Sequence, residues 1–147
     1  MKSTILITGC SSGFGQATAQ LFLDKGWNVV ATMRQPKEGL FHASPGQLRM
    51  IALDVTDAES IRAAVGEAIG AFEGVDVLVN NAGIGVFSPL ETTSDEAIRR
   101  LFETNIFGVV AMARAFVPHM RERASGAIIN VTSSVVFNPA PLVAVYT

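Results

Sequence analysis

A chain of 147 residues and 15.6 kDa is long enough for one domain with a sizeable buried core, and with 49% hydrophobic and 16% charged residues it reads as a well-buried globular protein. The net charge of -2 offers no basic surface for nucleic acid or an anionic membrane, so neither is an expected partner. Cys10 is the only cysteine, which excludes an internal disulfide and gives no sign of an oxidising compartment.

The first strand is expected almost at once, leaving no room for a signal peptide, and no apolar run reaches membrane-spanning length. A cytoplasmic protein is the expectation. Ile5-Leu6-Ile7 is short and β-branched, as a buried strand would be, and Gln16 to Lys25 carries apolar residues at helical spacing. Between them lies Thr8-Gly9-Cys10-Ser11-Ser12-Gly13-Phe14-Gly15, a glycine turn from strand to helix. Glycines at 9, 13 and 15 let the backbone turn tightly, approach a ligand and pack helix on strand. The helix N-terminus there suits a pyrophosphate, although a glycine turn without a ligand would read the same.

Trp27 to Met33 is expected to be a second strand, and residues 37 to 47, with Gly39, Pro45 and Gly46, a weak helix or a loop. Leu48 to Leu53 is the third strand, ending at Asp54. Thr56-Asp57-Ala58-Glu59 has capping-box spacing, with Ile61, Val65, Ile69 and Phe72 on one helical stripe and Gly74 closing the helix. Val75 to Val79 is a fourth strand running into Asn80-Asn81-Ala82-Gly83. Thr93 or Ser94 caps a long helix from near Asp95, with Ile98, Leu101 or Phe102, Asn105, Val109, Met112 and Phe116 on its buried side and a kink or weakening at Pro118. Ala127 to Val131 is a fifth strand, expected to be buried, which makes the Asn130-Val131-Thr132 sequon a chance match.

Strands that are continuously apolar and alternate with helices specify a parallel sheet covered on both faces. Right-handed crossovers make it a doubly wound α/β domain with its ligand crevice beyond the carboxyl ends of the strands. Every polar cluster falls at such an end: Thr8 to Gly15, Met33-Arg34, Asp54, Asn80 to Gly83, and Thr132 to Ser134.

Where a fold of this kind prefers NAD, an acid after the second strand meets the ribose; here Met33-Arg34 stands instead, and an Arg there suits a 2′-phosphate. A solvated turn arginine is the alternative. Asp54 is either an acceptor for an adenine amino group or a turn residue before the helix cap. Asn105 falls on an apolar stripe, where an unpaired amide costs roughly 1–3 kcal/mol, so something must satisfy it, a backbone carbonyl or a bound water being the plain option and not excluding a functional one. Cys10 has no histidine suitably placed to activate it and lies within the turn, which disfavours a nucleophilic role. Ser133 and Tyr146 lie thirteen residues apart, at the end of the fifth strand and at the apparent start of another helix.

Thr8-x-x-x-Gly13-x-Gly15 with Gly9, Asp54-Val55, Asn80-Asn81-Ala82-Gly83, Asn105, Ser133 and Tyr146 occur in an order and spacing that resemble the short-chain dehydrogenase/reductase family over the whole chain. The likeness is to its single-domain branch, nearest to hydroxysteroid and retinol dehydrogenase-like members. It implies a Rossmann-like three-layer domain and hydride transfer between NADP(H), with NAD(H) less suited, and a carbonyl or alcohol. Tyr146 would be the general acid/base, Ser133 the holder of the substrate oxygen, with Ser134 a competing serine, and Asn105 the anchor of a proton-relay water. Cofactor contacts would come from Gly9, Ser11, Ser12, Gly13, Phe14, Gly15, Arg34, Asp54, Val55, Asn81, Ala82 and Gly83; no metal is implied.

A phenol that ordinarily loses its proton near pH 10 needs a neighbouring positive charge to work near pH 7, at about 10 against about 7. The family takes that charge from a lysine four positions beyond the tyrosine, past Thr147, so the sequence is expected to belong to a longer chain with further strands and helices. A homodimer or homotetramer is the implied assembly. The alternative function is a catalytically inactive nucleotide-binding or scaffold module on the same fold.

Overall fold

The computed structural model describes residues 2–147. Five strands, β1 (Thr4–Ile7), β2 (Asn28–Met33), β3 (Leu48–Ala52), β4 (Val77–Asn80) and β5 (Ala127–Asn130), form one sheet in the order β3-β2-β1-β4-β5. All neighbours are parallel, with Ile5 between Val29 and Val77 and Ile7 between Ala31 and Val79. The period of two along each strand then sorts the apolar residues onto two faces.

Leu6, Val30, Ile51 and Leu78 face α2 (Ala58–Ala71) and α4 (Gly108–Glu122), meeting Ile61, Ala64, Val65, Met112 and Phe116. Ile5, Ile7, Val29, Ala31 and Val79 face α1 (Gly13–Asp24), meeting Ala19 and Leu23. Met112 and Phe116 are fully buried, each contributing about 1.5–3 kcal/mol through apolar area removed from water. This is the expected α/β doubly wound arrangement.

Local outcomes refine the reading. Residues 37 to 47 are an irregular connection, tied down by Gln47, whose Nε2 donates to the carbonyls of Leu23 at 2.6 Å and Trp27 at 2.9 Å. The cap of α2 is Asp57, not Thr56: the Asp57 carboxylate accepts from the Glu59 N–H at 2.9 Å, while Thr56 turns back to Asp54. That helix ends before Gly74, at Ala71, because Glu73 itself takes a left-handed backbone with φ 59°. Ser94 caps α3 (Asp95–Phe102), accepting from the Ala97 N–H at 3.2 Å.

A π turn over Glu103–Phe107 joins α3 to α4, so that one helix runs from Asp95 to Glu122 and continues past Pro118. By length and composition this helix is long and apolar enough to cross a membrane, unlike anything expected from the sequence. Leu101, Met112, Phe116 and Met120 are nevertheless buried within the fold. Phe102 is exposed, so Leu101 alone of that pair faces inward.

Among the described residues β5 pairs only with β4, and Ile129 is 50% exposed. Asn130 is exposed too, its Oδ1 accepting from Asn80 Nδ2 at 2.8 Å.

Candidate active site

With every strand parallel, the carboxyl ends Ile7, Met33, Ala52, Asn80 and Asn130 share one edge of the sheet. The first turn there is built on close backbone contact. Gly9 has φ 74°, and a Cβ on it would lie 2.8 Å from Ala82 Cα; a Cβ on Gly15 would collide with the Gly9 carbonyl oxygen and Asn81 Nδ2. Gly13 has φ 59° with nothing within 4 Å of its would-be Cβ, so conformation rather than crowding requires glycine there. The N-cap of α1, Ser12, makes no side-chain cap bond, so the first N–H groups of this helix keep their capacity to donate.

Thr8 fixes this turn against the end of β4. Its hydroxyl accepts from the N–H groups of Asn81 at 3.0 Å and Ala82 at 2.9 Å, and Asn81 Nδ2 donates to the Thr8 carbonyl at 2.8 Å. Thr8, placed in the glycine turn from the sequence but given no cofactor contact there, is buried and serves the turn as an acceptor. Next to it, Asn80 bridges to Asn130, while its Oδ1 is buried without a protein partner.

A cavity of about 670 Å³ opens at this edge, and every expected cofactor residue lines it except Gly13. Arg34 stands exposed in its wall directly after β2 and enters neither of the ion pairs among the described residues, Arg62–Glu59 and Arg123–Asp76. Asp54 Oδ1 accepts from the Thr56 N–H at 2.9 Å and the Thr56 hydroxyl at 2.7 Å. The backbone bond, then the hydroxyl bond, hold the Asp54 carboxyl below the usual range, with Arg34 adding its charge, so it is anionic at neutral pH. Cys10 is the opposite case. Burial pushes its thiol up to about 12, and Sγ donates to the Ile7 carbonyl at 3.2 Å.

The three expected catalytic residues lie outside the cavity lining. Asn105, in the π turn, is satisfied by backbone, one of the partners left open by the sequence: the Ile84 N–H donates to Asn105 Oδ1 at 2.9 Å and Asn105 Nδ2 donates to the Ile84 carbonyl at 2.8 Å. Ser133 follows β5 at the same sheet edge and accepts from the Val135 N–H at 3.4 Å, while Ser134 opens the short turn it caps. Tyr146 is half-buried in a turn in which its N–H donates to Val143. Arg100 and Thr104 line the cavity as well, and neither was expected.

Residues 3–147 match the family of short chain dehydrogenases. The chain belongs to that family. Among its similar proteins are a 3-ketodihydrosphingosine reductase of Bacteroides thetaiotaomicron, 44% identical over 88% of this chain and 46% of the relative, and retinol dehydrogenase 8 of Bos taurus, 41% identical over 92% and 47%. The fold of this short-chain dehydrogenase matches ElxO with NADP bound, at a TM-score of 0.92 and 31% identity over 99% of this chain and 61% of that one. A 3-ketoacyl-(acyl-carrier-protein) reductase of Brucella melitensis complexed with NADH matches at 0.89 and 32%, over 98% and 62%. The chain spans about half the length of the curated relatives it matches.

Proposed function

We propose that this short-chain dehydrogenase chain belongs to an oxidoreductase that transfers hydride between NADP(H) and a small or medium apolar ketone, aldehyde or secondary alcohol. The observation that carries the reading is Arg34, which enters neither ion pair among the described residues and stands in the cavity wall where an NAD-preferring site would place an acid. One relative in structure holds NADP and another NADH, so the choice between them rests on this chain's own residues.

The cradle fits a dinucleotide. Glycines 9 and 15 leave no room for a side chain between the turn and Asn81-Ala82, and the N–H groups at the start of α1 lack a side-chain cap, which suits a pyrophosphate. Arg34 meets a 2′-phosphate with paired charge-assisted hydrogen bonds, and the anionic Asp54 accepts from an adenine amino group. When bound, the nicotinamide supplies the hydride acceptor or donor. Tyr146 gives or takes the proton at its hydroxyl, and Ser133 hydrogen-bonds the substrate oxygen. Each end of the Asn105 side chain makes one bond to Ile84, which leaves a second N–H and a second lone pair of the amide for a relay water.

Exposed Phe102, Ile106, Phe107, Val110 and Val117 along the long helix support self-association into a dimer or tetramer through that helix.

The test is Tyr146→Phe in the full-length protein assayed with NADPH and a panel of apolar ketones, since residues 1–147 alone are expected to be inactive for want of the positive charge. The expected variant binds NADPH as the wild type does and loses turnover. An active variant removes Tyr146 from the chemistry, and a wild type that binds NADPH yet reduces nothing favours the inactive binding module.

A further inference from the structure

The cavity has a wall that the glycine turn and the strand ends do not supply. Arg100 and Thr104 contribute it, one helical turn apart on the long helix. What brings them there is Gly108, one turn further on: a Cβ at that position would lie 3.0 Å from Val55 Cγ2 and 3.0 Å from the Val55 carbonyl oxygen. The helix therefore packs directly on the segment after β3, beside Asp54 and Val55, and the residues at i−4 and i−8 extend over the cavity.

The chemistry of this wall differs from that around Arg34. The Thr104 hydroxyl gives its one proton to the Arg100 carbonyl at 3.0 Å, so it can only accept, and the wall presents its methyl group and a planar guanidinium with no hydroxyl donor for a phosphate. Arg100 enters neither ion pair among the described residues. A flat cation next to an apolar methyl group matches the face of a heteroaromatic ring better than it matches a phosphate, which needs converging donors.

We propose that Arg100 is a further cofactor-contacting residue, its guanidinium lying over the adenine ring and closing the adenosine end of the cavity from the helix side, an inference that rests on the dinucleotide reading above. The two arginines then have separate tasks. Arg34 distinguishes a 2′-phosphate from a hydroxyl; Arg100 strengthens binding of any adenine nucleotide.

Titration calorimetry of the protein with AMP, adenosine 2′,5′-bisphosphate and nicotinamide mononucleotide separates them. Arg100→Ala is expected to weaken AMP and the bisphosphate alike, by roughly five-fold, as an exposed cation–π contact would, and to leave the mononucleotide and the melting temperature unchanged. Arg100→Lys, which keeps charge without the plane, recovers part of the loss, whereas Arg34→Ala weakens only the bisphosphate. Unchanged AMP affinity in Arg100→Ala overturns the proposal, and so does a loss confined to the bisphosphate. A wild type that binds AMP and the bisphosphate equally refutes the NADP preference but leaves the Arg100 contact to be decided on AMP. A wild type that binds no adenine nucleotide refutes both.

Discussion

Asn105 holds Ile84 by both ends of its side-chain amide, accepting from the Ile84 N–H at 2.9 Å and donating to the Ile84 carbonyl at 2.8 Å. An amide on the buried side of a helix thus performs the pairing that a neighbouring strand would otherwise give the loop after β4. Asn105→Leu removes both bonds and strands two backbone groups. A loss of about 2 kcal/mol is expected in urea unfolding; a Leu variant as stable as the wild type would show that the loop does not depend on this pair.

Thr8 makes a sharper contrast available. Thr8→Val keeps the shape but leaves the N–H groups of Asn81 and Ala82 without the hydroxyl that accepts from both, at a cost of about 2–4 kcal/mol in a residue only 1% exposed. Thr8→Ser keeps the acceptor and loses one methyl group, about 1 kcal/mol. Equal destabilisation by the two, measured by denaturant unfolding, would contradict the role given to the hydroxyl.

Asp54 provides the pH dependence. Its folded-state value is lowered, chiefly by the Thr56 N–H and then by the Thr56 hydroxyl. The stability it contributes is therefore present above the unfolded carboxyl value, near pH 4 or about 3.9, and is lost as the pH falls through the lower folded value. Thr56→Val removes the hydroxyl bond and spares the backbone one. In a carboxyl NMR titration the Asp54 midpoint is expected to rise while staying below that of an unperturbed aspartate; a midpoint that does not move would contradict the assignment.

The sequence disclosed the fold because β1, β2 and β4 are apolar at successive positions, and only a sheet covered on both faces uses such strands. The glycine turn was legible for a related reason. Gly9, Gly13 and Gly15 are spaced along one strand-to-helix junction, and two of them prove to be required by contact with Asn81 and Ala82.

What escaped depends on neighbours. β5 has the composition of a buried strand, and among the described residues β4 is its one neighbour in the sheet. Thr56 and Asp57 are both good caps, and which one serves is settled by the competing bond from Thr56 to Asp54. Arg100 carries no signal in the sequence; the seating of Gly108 on Val55 shows which way its stripe faces. Ser133 and Tyr146 rest on family spacing alone, and they lie in short turns after β5.

The most direct measurement is the affinity of the wild type and of Arg34→Ala for NADPH and NADH, read by fluorescence titration. The wild type is expected to prefer NADPH, and Arg34→Ala to lose most of that preference by weakening NADPH roughly ten- to a hundred-fold, as loss of a charge-assisted pair worth about 1.5–3 kcal/mol entails, with NADH little changed. Equal weakening of both cofactors, or a wild type that prefers NADH, would contradict it.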